Sequence, residues 1–145
     1  MALITRLARL FQADMHAVLD KIEEPAMLLK HSIREMEDSI IADEKQIRLW
    51  EYEQRQLASQ RDRLEESLGD LEAKCALCFK SGKDDLARSF IKRKLETQQA
   101  KQVLAEKITA LQEKISRLIH QLMEHQAQLT AMKQKAEVFL EEKSS

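Results

Sequence analysis

The sequence predicts an all-α protein: an N-terminal amphipathic helix followed by a long antiparallel coiled-coil helical hairpin. Three observations predict it. The 145 residues carry 34% charged and 4% aromatic side chains with two glycines and one proline, a profile of long helices rather than of an average globular domain. Apolar residues recur in alternating steps of four and three along most of the chain. The one stretch that reads as a turn, KSGKDD, lies between two such runs.

The opening, MALITRLARLFQADMHAVLDKIEEP, is the first element. At 100° per residue, Leu3, Ile4, Leu7, Leu10, Phe11, Met15, Val18, Leu19 and Ile22 fall on one half of a helix. Arg6, Arg9, Gln12, His16 and Asp20 fall on the other, and only Asp14 intrudes on the apolar face. Before Asp14 the side-chain charges are Arg6 and Arg9, with no acid. An amphipathic helix with a basic leading half suits the surface of an anionic bilayer. The alternative is that it folds back onto the rest of the chain. Pro25 closes the segment, because proline fits the first turn of a helix and disfavours helical geometry at Glu24 before it. The expected domains are therefore 1–24, the amphipathic helix, and 25–145, the hairpin, with Pro25 as the hinge.

The first arm, about 25–80, has the longer seam: Leu29, Ile33, Met36, Ile40, Asp43, Ile47, Trp50, Gln54, Leu57, Arg61, Leu64, Leu68, Leu71, Cys75 and Cys78. All but Asp43, Gln54 and Arg61 are apolar or cysteine. The second arm, about 84–143, continues with Leu104, Ile108, Leu111, Ile115, Leu118, Leu122, His125, Leu129, Met132, Ala136 and Phe139, broken only by His125. Leu86, Phe90, Ile91 and Leu95 read as a stripe in another phase, with a change of phase and looser packing expected across Thr97 to Gln102.

The tip is Ser81, Gly82 and Lys83, followed by Asp84 and Asp85. Gly82 suits the left-handed position past a helix end, and the two aspartates suit the first turn of the next helix, where the dipole is positive. So short a connection favours antiparallel neighbours. Facing residues should then have numbers summing to roughly 165. That places Asp70 and Glu72 opposite Lys92, Arg93 and Lys94, Leu29 opposite Ala136, and Ala26 opposite Phe139. Arms of this length span about 80 to 90 Å of helix. Asp43 and His125 should share a layer or adjacent layers, where they either form a polar pair that fixes register and makes the seam responsive to pH, or both tilt out to water and never meet.

A two-helix seam leaves apolar surface outside it. Met27, Leu28, Ile41, Leu49, Tyr52, Leu77, Val103, Ile119, Met123, Val138 and Leu140 are off-seam and point to contacts with other copies or partners; the alternative is that several merely widen the seam.

Catalytic and metal chemistry has little support in these residues. Cys75 and Cys78 form a CxxC, yet both are seam positions and one CxxC is half of a four-cysteine zinc site. His120 and His125 are five residues apart, so they occupy different helix faces. SGKDD lacks the upstream glycine and preceding strand of a phosphate loop. The basic run Arg88, Lys92, Arg93, Lys94 faces acids across the hairpin, and the formal net charge of −1 gives no bias toward nucleic acid. No enzyme and no cofactor is expected. Two cysteines without a secretory leader suggest a reducing compartment, and no run of about 18 uncharged apolar residues is present to span a bilayer.

Three stretches, in order, carry a family resemblance: LDKIEEP closing the opening helix, HSIREMEDSI entering the first arm, and SGKDDLARSFIKRK across the tip. Together they resemble the phage shock protein A family, which includes the vesicle-inducing protein of plastids and is similar in architecture to eukaryotic ESCRT-III proteins. The resemblance covers the whole chain but about the first two-thirds of a usual member, whose further helices would follow Ser145. It implies a cytoplasmic protein, peripheral on the inner face of the bacterial cytoplasmic membrane. Such a protein binds anionic lipids and itself in a membrane stress response. Leu3, Ile4, Arg6, Leu7, Leu10 and Phe11 would lie in its lipid-binding helix. The resemblance also allows a soluble negative regulator binding a AAA+ transcriptional activator through the hairpin, and the generic alternative is a coiled-coil scaffold without a lipid role.

Overall fold

The computed structural model describes the backbone of residues 25–144 and the side chains of residues 26–141. Two helices occupy this span, α1 (Pro25–Lys80) and α2 (Asp84–Ser144). Proline opens α1 because its fixed φ already suits the helix and its missing N–H is one the first turn leaves unbonded.

The turn is a Schellman closure. Gly82 has φ 70°, Lys83 N–H donates to Cys78 O at 2.9 Å and Gly82 N–H donates to Phe79 O at 3.3 Å. Ala87 N–H then donates to Lys83 O at 3.0 Å, which starts α2. Asp84 and Asp85 stand in the first turn of α2 and Lys80 in the last turn of α1, each matching the helix dipole.

The two glycines predict opposite signs on substitution. A Cβ at either would meet nothing within 4 Å, so only backbone terms act. Gly82→Ala should destabilise by about 1 kcal/mol, the left-handed penalty, and Gly82→Asn by less. Gly69→Ala, inside α1, should stabilise by about 0.5–1 kcal/mol. Urea denaturation followed by circular dichroism reads all three; equal signs at the two sites would overturn the account.

Of the described residues, 25–47 with 117–144 form one compact unit and 48–116 the other. In the first, α1 and α2 run antiparallel around a core of Leu29, Met36, Ile40, Met132, Ala136 and Phe139, with Ile33, Leu122 and Leu129 packed against it. Leu29 and Ala136 thus share a core as their numbers suggested, whereas Ala26, expected opposite Phe139, is exposed. Ser32 is also buried, its hydroxyl donating to Leu28 O at 2.7 Å, which satisfies it within its own helix.

The second unit contains the turn. Leu71, Cys75, Cys78 and Ala87 are buried beside it, and Leu111 and Ile115 at the unit's other end. Between Arg48 and Asp70, and between Arg88 and Ala110, no residue is fully buried. The expected change of phase is absent. Phe90, Ile91, Lys94, Thr97 and Lys101 are the residues that keep their exposure low, and all but Ile91 continue the four–three spacing directly into Leu104. Leu95, assigned to a stripe from the sequence, is 60% exposed, and Leu86 is exposed as well. The reason is that a lysine stem covers apolar surface while its ammonium reaches the rim. Lys94 Nζ lies 3.5 Å from Glu72 and Lys101 Nζ 3.0 Å from Glu65. Packing is looser there because polar residues fill the seam, not because the seam shifts.

Candidate functional site

The residues expected to touch lipid, Leu3, Ile4, Arg6, Leu7, Arg9, Leu10, Phe11, Met15 and Val18, lie outside the described residues. Pro25, the expected hinge, is the first residue of α1. Ser81, Gly82 and Lys83 form the turn, and Asp84 and Asp85 open α2.

The structure grades the seam residues by depth. Met36, Ile40, Met132 and Phe139 are buried in the first unit. Ile47, Leu71, Cys75, Cys78, Leu111 and Ile115 are buried too. Ile33, Trp50, Leu57, Leu64, Leu68, Leu104, Ile108, Leu118, Leu122 and Leu129 are half-buried. A pair of helices hides one narrow stripe, so seam side chains keep contact with water wherever polar residues flank them. Of the off-seam apolar residues, Leu28 is half-buried. Met27, Ile41, Leu49, Tyr52, Leu77, Val103, Ile119, Met123, Val138 and Leu140 are exposed, and Phe79 joins them.

Charge pairing across the helices is sparse and specific. Besides Glu72–Lys94 and Glu65–Lys101, Gln54 Nε2 donates to Gln112 Oε1 at 2.6 Å in the second unit. In the first, Lys133 Nζ meets Glu37 at 3.2 Å and Gln126 Nε2 donates to Glu44 at 3.5 Å. These pairs lie on the surface, where each contributes at most about 1 kcal/mol and serves mainly to hold register.

Asp43 and His125 do come together. His125 Nδ1 is 3.8 Å from Asp43 Oδ2, with the side chains 19% and 18% exposed. That distance allows electrostatic attraction but exceeds a hydrogen bond, and Asp43 Oδ2 is buried without a hydrogen-bond partner. An unsatisfied buried carboxylate oxygen is expensive, and the His125 imidazole is the group placed beside it. A double-mutant cycle with Asp43→Ala and His125→Ala should give a coupling of about 0.5–1 kcal/mol. Coupling indistinguishable from zero would leave two independent residues and no pair.

Cys75 and Cys78 are free, buried thiols, and Cys75 Sγ approaches Ala87 O at 3.9 Å. They act here as small packing residues beside the turn. His120 pairs with Glu124 at 3.1 Å and His31 with Glu35 at 3.0 Å, both along one helix. Among the described residues, no group of three or more His, Cys, Asp or Glu side chains is placed to hold a metal, and no helix is long and apolar enough to cross a membrane. The seam read from the sequence omitted Ala87, which is completely buried; its place one step before Phe90 on the four–three pattern was the available signal.

The described elements define a class first: within each compact unit, segments of α1 and α2 packed along a thin seam, with pairs of opposite charge beside it and exposed apolar residues outside it. The family follows from comparison. The model of the PspA/IM30 family matches residues 2–145, and the chain belongs to that family, a membrane-associated one. No curated protein and no solved structure matches the chain.

Proposed function

We propose that this chain is a peripheral membrane protein that binds anionic bilayers through residues 1–24, assembles with copies of itself, and maintains or remodels the bacterial inner membrane under stress. It works from the cytoplasmic face and carries out no catalysis. The observation that carries the reading is the family match, which begins at residue 2 and so takes in the amphipathic opening. The pattern of that opening agrees: an apolar half, a basic leading turn, and a proline where the pattern stops.

The exposed apolar residues support self-association within each unit. In the first, Ile119, Met123 and Val138 are exposed on α2. Steps of four and fifteen residues along a helix keep them within about 100° of one another. Solvent gains nothing from such a face, whereas a second copy would cover it.

Flotation with vesicles of phosphatidylcholine, with and without phosphatidylglycerol, tests the reading. The full chain should float with the anionic vesicles, and the chain lacking residues 1–24 should stay behind. Light scattering on the same samples should show assemblies larger than one chain. Equal flotation of the two would overturn the assignment of lipid binding to the opening segment.

A further inference from the structure

A basic face of α1 is left unneutralised close to where the lipid-binding segment ends. Met27, Lys30 and Arg34 are spaced three and four residues apart and so share one side of the helix. With His31, Ile33 and Glu37 they line an open concavity of about 630 Å³. Met27 is 66% exposed, and both cations are exposed. Neighbouring carboxylates are engaged elsewhere: Glu35 with His31 at 3.0 Å and Glu37 with Lys133 at 3.2 Å. Asp38, one turn beyond Arg34, is exposed, and among the described residues Lys30 and Arg34 make no ion pair.

We propose that this face is a second lipid site, in which Lys30 and Arg34 take the phosphate of an anionic phospholipid headgroup while Met27 rests on the acyl boundary. The proposal rests on the membrane reading of residues 1–24. A segment lying in the interface brings the start of α1 to headgroup level. Lys30 and Arg34 follow Pro25 by five and nine residues, or roughly 8 and 14 Å of helix rise. Side chains of their length extend several ångströms further, so both charges act within about a Debye length of the surface. Arginine adds bidentate recognition of a phosphate. The face is thus cationic, partly apolar and unpaired, which suits a bilayer surface better than the hydrophobic groove of a partner helix.

The test uses the full chain with Lys30→Gln and Arg34→Gln together, which keeps good helix formers at both sites. Lys107→Gln with Lys114→Gln, exposed cations of the other unit, is the control. One charge near an anionic surface is worth about fivefold in partitioning. The double variant should therefore bind phosphatidylglycerol-containing vesicles roughly tenfold or more weakly at low salt. The difference should shrink at high salt and vanish on phosphatidylcholine alone. An equal loss in the control pair would reduce the effect to net charge and overturn the site. Tighter binding by the double variant would mean that the face holds the chain's own acidic residues, such as Asp14 or Glu23, and not lipid. Displacement of the wild type by inorganic phosphate at constant ionic strength would mark a free-phosphate site instead. If Leu7→Glu abolishes flotation while the double variant binds normally, the site fails and the membrane reading stands. If Leu7→Glu leaves flotation intact, the membrane reading itself fails.

Discussion

Met36→Ala should destabilise the unit formed by 25–47 and 117–144 by about 2–5 kcal/mol, the range for emptying a buried methionine position. Met36 is 1% exposed and shares a core with Leu29, Ile40, Met132, Ala136 and Phe139. In so narrow a core, the neighbours have no second layer from which to refill a cavity, so the loss should fall toward the upper part of that range. Leu64→Ala is the contrast. Leu64 is a seam residue at the same spacing, but it is half-buried in the other unit, and its truncation should cost about 1 kcal/mol, since much of its surface already meets water. Hydrogen exchange resolves where each loss acts, because compact units can open separately. Met36→Ala should strip protection from 25–47 and 117–140 and leave the amides beside the turn protected. A uniform loss along both helices would mean that the chain opens as one cooperative body.

The contrast between these two leucine-like positions also shows what pattern can and cannot convey. Periodicity located the seam, because a residue every three or four positions must return to the same side of a helix. It carried no information on depth, which depends on what the partner helix offers opposite. Met36 is buried because the facing stretch of α2 supplies Met132 and Ala136 to the same core. Leu64 belongs to a stretch where α2 contributes Lys94, Thr97 and Lys101 to its own seam positions. The two lysines were illegible for a simple reason. A pattern that scores lysine as polar cannot see four methylenes lying along a neighbour. The turn was legible because its requirements are local: a positive φ needs glycine, and Gly82 is the residue that has one. Ala87 was hidden by its size, since a methyl group reads as neutral in any hydropathy pattern yet fits where two helices converge beside a turn. Asp43 and His125 were legible as neighbours in register through their numbers, while their approach to 3.8 Å and the orphaned carboxylate oxygen required the fold.

Leu7→Glu or Phe11→Glu should abolish flotation with anionic vesicles, the largest functional effect expected in this chain. Each substitution places a charge in the middle of the apolar half of residues 1–24, where binding requires burial at the acyl boundary. The lost apolar contact is worth about 1.5–3 kcal/mol at full burial, and burying the new carboxylate adds a further penalty. The sum is enough to lower partitioning by two orders of magnitude or more, at 1.4 kcal/mol per factor of ten. Arg6→Ala with Arg9→Ala should act differently. Two basic groups near an anionic surface contribute about 2 kcal/mol together, and salt screens that contribution. This variant should therefore bind weakly at low salt and approach the wild type as salt rises, whereas the glutamate variants stay unbound throughout. Circular dichroism with vesicles gives an independent reading, because a segment that folds on the bilayer gains helicity there. Glutamate variants that still float and still gain helicity would remove the opening segment from the lipid contact altogether.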